Sequence, residues 1–449
     1  MVRRATRVRG WLAGRPQLAD LLVWILLVCA GLTVARIAVA LHAHVGVGAA
    51  PFTGRYAVAL SPTSLLAPAV AVSVLGAVRS GLLERLAFRD VLILGWFATV
   101  AWVLALGVDR GGGLGAALRG PDGYLADASA VHGGLHTFLH GFVHAAPQYD
   151  VAARTHPPGA LLLVAGLRDA GLHDPAALAV VLALLGAVTV PAVALATRSL
   201  CHDRAGRRIV PLLALAPWWV WAPLALDAVV ASTAATAIAC GVLASEPGRS
   251  APARRVLIAV TGLGLGTAAM LSYPAAWIAV AVVAVCFVRR RPALIVLTAL
   301  WGLVPLALAR AGGFTWAAGL AVARHDAAAR LGPQRAWWLW IVLDLVVLLI
   351  ICGPGIVAAA RGTARTPGWP FLVGSAAAVA FTLGSGLARG EVERTWLPYA
   401  AWLLVPAVAP LVRPADSADP DPPDATPVPL VLVGAAAAAA VVLRAVVQV

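Results

Sequence analysis

VDRGGGLGAALRGPDGYLADASAVHGGLHTFLHGFVHAAPQYDVAARTHPPGALLLVAGLRDA, residues Val108 to Ala170, decides the fold. On either side the chain is a series of apolar runs, each close to the roughly 20 residues that cross a bilayer as a helix. Within this stretch the apolar rhythm stops, and acids, histidines and tyrosines collect. The chain has 449 residues, of which 61% are hydrophobic and only 12% charged. A soluble domain carries roughly a quarter charged residues. One globular core cannot hide so much apolar surface, whereas lipid accepts it. The composition therefore predicts an all-α polytopic membrane protein.

The net charge is +14, and all 34 basic residues are arginine. Basic surfaces attract nucleic acid, but these arginines sit in short loops between apolar runs, where they set topology. No nucleic-acid partner is expected. Thirteen spans are predicted, near 19–42, 59–78, 90–108, 174–197, 208–224, 227–245, 255–271, 274–288, 292–310, 336–355, 369–387, 396–412 and 428–446. With a cytoplasmic N-terminus, inside loops hold 21 arginines and outside segments 11. That tally settles the short apolar run 157–171. Counted as a span, it would move Arg198, Arg204, Arg207 and Arg208 outside, so it reads as an interfacial helix.

The organisation expected is an N-terminal hairpin region (1–89), a core with a long outer loop at 109–173 (90–290), and further spans with an outer loop at 311–335 (291–412). An acidic, Pro-rich linker (413–427) and a last span (428–449) follow. The run Leu21–Leu41 reads as a retained anchor rather than a cleaved signal. Cys29, Cys240, Cys286 and Cys352 fall in apolar runs and Cys201 in a basic loop, so no structural disulfide is expected.

The polar residues concentrate on the predicted outer face. Asp109 directly follows the third span, where a carboxylate suits a general base or a metal ligand. Asp227 sits in an apolar stretch at an outer turn. An acid there is costly unless paired or wet, and its competing reading is a helix N-cap. Arg154 and His156 precede a double proline and suit a phosphate or a lipid headgroup. Glu393 and Arg394 open the twelfth span, and Asp127 lies in the loop. His132, His136, His140 and His144 recur every fourth residue, so neighbours share a helix face. His136 and His140 are the metal candidates, against the blander reading of a polar stripe on an interfacial helix. Asp344 is the one acid within the tenth span, with Arg36 as its candidate partner.

These residues resemble the GT-C class of integral-membrane glycosyltransferases, particularly the branch of protein O-mannosyltransferases and the lipid A aminoarabinose transferase. The likeness is carried by Asp109 at the head of a long outer loop, the stretch containing Tyr124, THPPGALLL at 155–163, the span ending at Arg198, Asp227, and GEVERTW at 390–396. It implies transfer of a sugar from a polyprenyl-phosphate donor to an extracytoplasmic glycan, lipid or protein in a bacterial plasma membrane. It also implies that Asp109 is the catalytic loop acid, that Asp227 is the second catalytic acid and that His156 touches the lipid phosphate. Beside these, Tyr124, Asp127, Arg154, Glu393 and Arg394 are the further substrate-binding candidates of the outer face, and its acids and histidines are compatible with a divalent metal. Two features depart from the pattern. Loop 43–58 contains no acid, so two helices precede the core, and Asp109 is followed by Arg110. The alternative class is a transporter or lipid flippase, which inverted repeats and ionisable groups in broken mid-membrane helices would mark.

Overall fold

A computed structural model describes residues 15–46, 52, 56, 58, 60–108, 113–120, 123–221, 226–409 and 429–446. The described elements are helices, and the chain is an all-α polytopic membrane protein. Seven helices are long and apolar enough to cross a membrane: Pro16–Ala40, Pro62–Arg79, Phe88–Val108, Pro175–Leu200, Asp227–Ala244, Ala251–Leu271 and Ala293–Ala311. An eighth candidate is the pair Trp337–Cys352 and Gly355–Gly362, bent by 104°. Four shorter apolar helices, Pro274–Val288, Trp369–Ser385, Leu397–Ala407 and Leu430–Val446, occupy other predicted spans.

The predicted span 208–224 differs. Its residues form the 12-residue helix Asp203–Ala214 and the short turn Pro217–Val220, separated at Leu215 and Ala216. Pro211 inside the helix and Pro217 after it each remove a backbone donor, so no continuous span forms. The run 157–171 is the 11-residue helix Gly159–Asp169, too short to cross.

Burial separates centre from rim. In Asp227–Ala244, 78% of the apolar window is buried, against 17% in Pro16–Ala40, Pro62–Arg79 and Ala293–Ala311. The first is therefore the hub, and the other three present most of their surface outward. Apolar attraction does not drive helices together in lipid, so close packing must. Small residues supply it. A Cβ on Gly262 would stand 2.4 Å from the Thr298 carbonyl oxygen, and one on Gly266 2.3 Å from that of Gly302. The backbones of Ala251–Leu271 and Ala293–Ala311 thus touch directly.

The helix ends fall into two layers. One is rich in arginine. There Arg361 Nε donates to Asp20 at 2.7 Å, Arg207 to the carbonyls of Leu83 and Leu86, and Arg289 to that of Ser199 at 2.6 Å. The bonds from Arg207 and Arg289 satisfy carbonyls that helix ends leave open. The opposite layer carries the residues of the long loop. Asp344, inside Trp337–Cys352, accepts from the Gly390 N–H at 2.9 Å, while Arg36 is exposed, so the expected Arg36 partnership is replaced by a backbone donor.

Candidate functional site

Three short structures of the long loop shape this end. Leu135–Ala145 is an amphipathic helix with Phe138, Leu139 and Phe142 buried. Its His136, His140 and His144 are exposed, and the rings of the first two stack 6.1 Å apart. Among the described residues no group of three His, Cys, Asp or Glu side chains converges to hold a metal.

Val151–Thr155 is a single helical turn that stops at His156, whose backbone is extended (φ −117°, ψ 158°). The following proline forbids the helical conformation there. Helix Gly159–Asp169 then packs on the end of Ala251–Leu271. A Cβ at Gly159 would lie 2.3 Å from the Met270 carbonyl oxygen, so only glycine permits this approach. That contact sets His156 beside the turn at Ser272 and Pro274.

The result is a cavity with about 680 Å³ of empty space, part of it open to solvent. Tyr124, Thr155, His156 and Asp227 line it together with Glu391, Arg394 and Thr395. Ser272 and Thr382 complete its polar lining. Asp227 is 8% exposed and is the first residue of Asp227–Ala244. The positive end of that helix dipole favours its carboxylate.

The ring of His156 is held by its own backbone. Nδ1 lies 2.8 Å from the Ala152 carbonyl oxygen, which can only accept, so Nδ1 carries a hydrogen. Nε2 then faces the Asp227 carboxylate across 3.9 Å. With a neutral imidazole both facing atoms are acceptors. The gap therefore suits either an imidazolium–carboxylate pair or a hydroxyl lying between them. Tyr124, 5% exposed, closes over the ring edge-on at 6.1 Å.

The remaining predicted residues divide. Arg394 lines the cavity with Tyr124, His156 and Asp227. Arg154 does not line it; its guanidinium pairs with Asp326 at 3.3 Å, on helix Trp316–Leu331. Asp326 also faces Arg330 at 3.7 Å, and Glu391 lies 3.8 Å from Arg330 and 3.6 Å from Arg335. Arg154, Asp326, Arg330, Glu391 and Arg335 thus form a chain of alternating charge behind the cavity. Asp127 holds the loop instead of the cavity, accepting from the Asp150 N–H at 2.8 Å. Burial raises its carboxyl above the ordinary carboxylate range. The Asp150 hydrogen bond opposes that rise, the Asp150 charge adds to it, and Arg154 opposes it.

Glu393 is not among the lining residues and neighbours the buried Asp344. Asp109 falls outside the described residues. Glu391 is the lining acid that a choice of Glu393 misses. Spacing could have found it, because residues three and four apart share a helical face, as Glu391, Arg394 and Thr395 do, whereas Glu393 points elsewhere. Asp326 carried no local signal, lying 172 residues from its partner.

No protein-family model matches the chain, and no curated protein matches it. Two solved structures are similar, both of ArnT from Cupriavidus metallidurans. The structure bound to undecaprenyl phosphate is 17% identical over 71% of this chain and 58% of that one, with a TM-score of 0.46. The apo structure is 19% identical over 56% and 48%, with a TM-score of 0.38. This chain therefore spans less than two thirds of the length of either.

Proposed function

We propose that the protein is a membrane glycosyltransferase that moves a sugar from a polyprenyl-phosphate donor to an extracytoplasmic acceptor glycan, lipid or protein. The observation that carries this reading is the His156–Asp227 pair, 3.9 Å apart in a cavity that also holds Arg394. A base, a proton carrier and a fixed cation stand together at the end of a membrane bundle. Transfer from a lipid phosphate needs these three.

In the proposed reaction the acceptor hydroxyl attacks the anomeric carbon of the sugar, and the bond from that carbon to the phosphate oxygen breaks. Asp227 takes the hydroxyl proton. Arg394 faces the phosphate, whose charge grows as it leaves, and His156 Nε2 lies between the two tasks. Asp109 stands as the second acid on the strength of the GT-C resemblance. The cavity end is the extracytoplasmic one, in a bacterial plasma membrane with a cytoplasmic N-terminus, because the opposite layer carries the denser arginines.

The transporter reading draws less support. A substrate path through a broken span would be expected to present an ionisable group to the substrate. Asp344, the acid of the broken span Trp337–Cys352, is instead 1% exposed and accepts from the Gly390 N–H.

The reading is tested by binding of undecaprenyl phosphate to the purified chain in nanodiscs, measured by native mass spectrometry against a neutral lipid of equal length. Saturable binding that falls roughly tenfold or more in Arg394→Ala is expected, as for loss of one charge-assisted contact. Equal binding of the phosphate and the neutral lipid would overturn it.

A further inference from the structure

Glu391 has an unusual position among the acids of this end. It lines the cavity, and its side chain is 30% exposed. Two guanidiniums stand behind it, Arg335 at 3.6 Å and Arg330 at 3.8 Å. Both distances balance its charge but exceed hydrogen-bond length. Among the described residues no donor reaches its side-chain oxygens, although its backbone carbonyl accepts from Thr395 at 3.3 Å. Its charge is compensated while its lone pairs remain open toward the cavity.

That combination selects among ligands. A carboxylate without a counter-ion would favour a cation, such as an ammonium group. A carboxylate already held between two arginines gains less from another cation, yet its oxygens still accept strong hydrogen bonds. Neutral hydroxyl donors fit best, and two carboxylate oxygens suit a vicinal pair of them. Its partners also hold it in place. Arg335 is 8% exposed and donates to the Arg389 carbonyl, while Arg389 donates back to the Arg335 carbonyl at 2.8 Å. The wall bearing Glu391 is therefore tied to the start of Trp337–Cys352 on both sides.

We infer that Glu391 is a specificity-determining residue that reads vicinal hydroxyls of a neutral sugar on the donor, in the cavity it shares with the Asp227–His156 pair. This rests on the glycosyltransferase reading of the cavity. The loss of hydrogen bonds to a charged acceptor costs roughly ten- to a hundredfold in affinity.

The test compares undecaprenyl phosphate with the undecaprenyl phosphodiesters of glucose, mannose, arabinose and 2-amino-2-deoxyglucose, bound to wild type, Glu391→Gln and Glu391→Ala in nanodiscs. Wild type is expected to bind at least one neutral-sugar ester at least tenfold more tightly than the bare phosphate. Glu391→Ala is expected to lose that gain while keeping bare-phosphate affinity, and Glu391→Gln, which retains one acceptor, to fall between. Retention of bare-phosphate binding shows that the variant is folded. Equal weakening of bare phosphate and sugar esters, no change in either, or tightest binding of the amino sugar would overturn the assignment of Glu391 alone. Failure of wild type to bind any of these lipids would instead overturn the glycosyltransferase reading, and this assignment with it.

Discussion

Replacing Asp326 by Asn removes the shared counter-ion of two guanidiniums behind the cavity. Asp326 and Arg154 stand 3.3 Å apart with side chains 19% and 24% exposed, so water screens them only in part. At that distance and an effective dielectric of about 20, the gross attraction is about 5 kcal/mol. Removing both ions from water offsets much of it. The variant also leaves Arg330, 3.7 Å from the same carboxylate, without that partner. We expect Asp326→Asn to destabilise the protein by about 3 kcal/mol, the lower end for breaking a buried pair. A double-mutant cycle with Arg154→Gln should give a coupling of about 1–2 kcal/mol. The assay is reversible SDS unfolding in mixed micelles followed by tryptophan fluorescence, for which the chain's 16 tryptophans provide signal. Effects that add to within about 0.3 kcal/mol would refute the coupling, because independent sites behave that way.

Three further outcomes are expected. Gly159→Ala forces its helix away from the Met270 carbonyl, now 2.3 Å from where the Cβ would stand. Displacing His156 by about 1 Å should lower turnover roughly a hundredfold with the fold retained, checked by steady-state transfer beside circular dichroism. Burial pushes the Cys201 thiol up to about 12. Peptide-level mass spectrometry should therefore find its alkylation rate still climbing between roughly pH 9 and 11, where an ordinary thiol has levelled off; a plateau near pH 9 would contradict its burial. Burial raises the Asp127 carboxyl in the folded chain above the ordinary carboxylate range, so its ionised form opposes folding at neutral pH. That penalty is relieved as pH falls through the raised value and is gone below the unfolded one. Asp127→Asn should thus increase hydrogen-exchange protection of residues 123–150 at pH 7, with the difference vanishing near pH 4; equal protection at pH 7 would contradict the sign.

The legible part of the fold was whatever the membrane itself dictates. Apolar run length located the long helices, and arginine counting separated the short helix Gly159–Asp169 from the spans. Asp227 was visible because an acid among apolar residues needs a reason. What stayed hidden depended on partners distant in sequence. Arg154 reads as a phosphate ligand until Asp326 is placed beside it. Asp344 invited pairing with Arg36, since no local signal marks the Gly390 N–H as its donor. The span expected at 208–224 failed because hydropathy counts apolar residues and ignores the two prolines that interrupt their hydrogen bonds.

The most direct test is sugar transfer from labelled polyprenyl-phosphate-linked sugars by the purified protein in lipid, comparing wild type with Asp227→Asn. Wild type is expected to turn over. Asp227→Asn is expected to lose roughly a hundredfold or more, the range for removing a general base, with undecaprenyl phosphate binding intact. Turnover unchanged in Asp227→Asn would contradict the role given to the His156–Asp227 pair, and no turnover by wild type on any donor would contradict the glycosyltransferase itself.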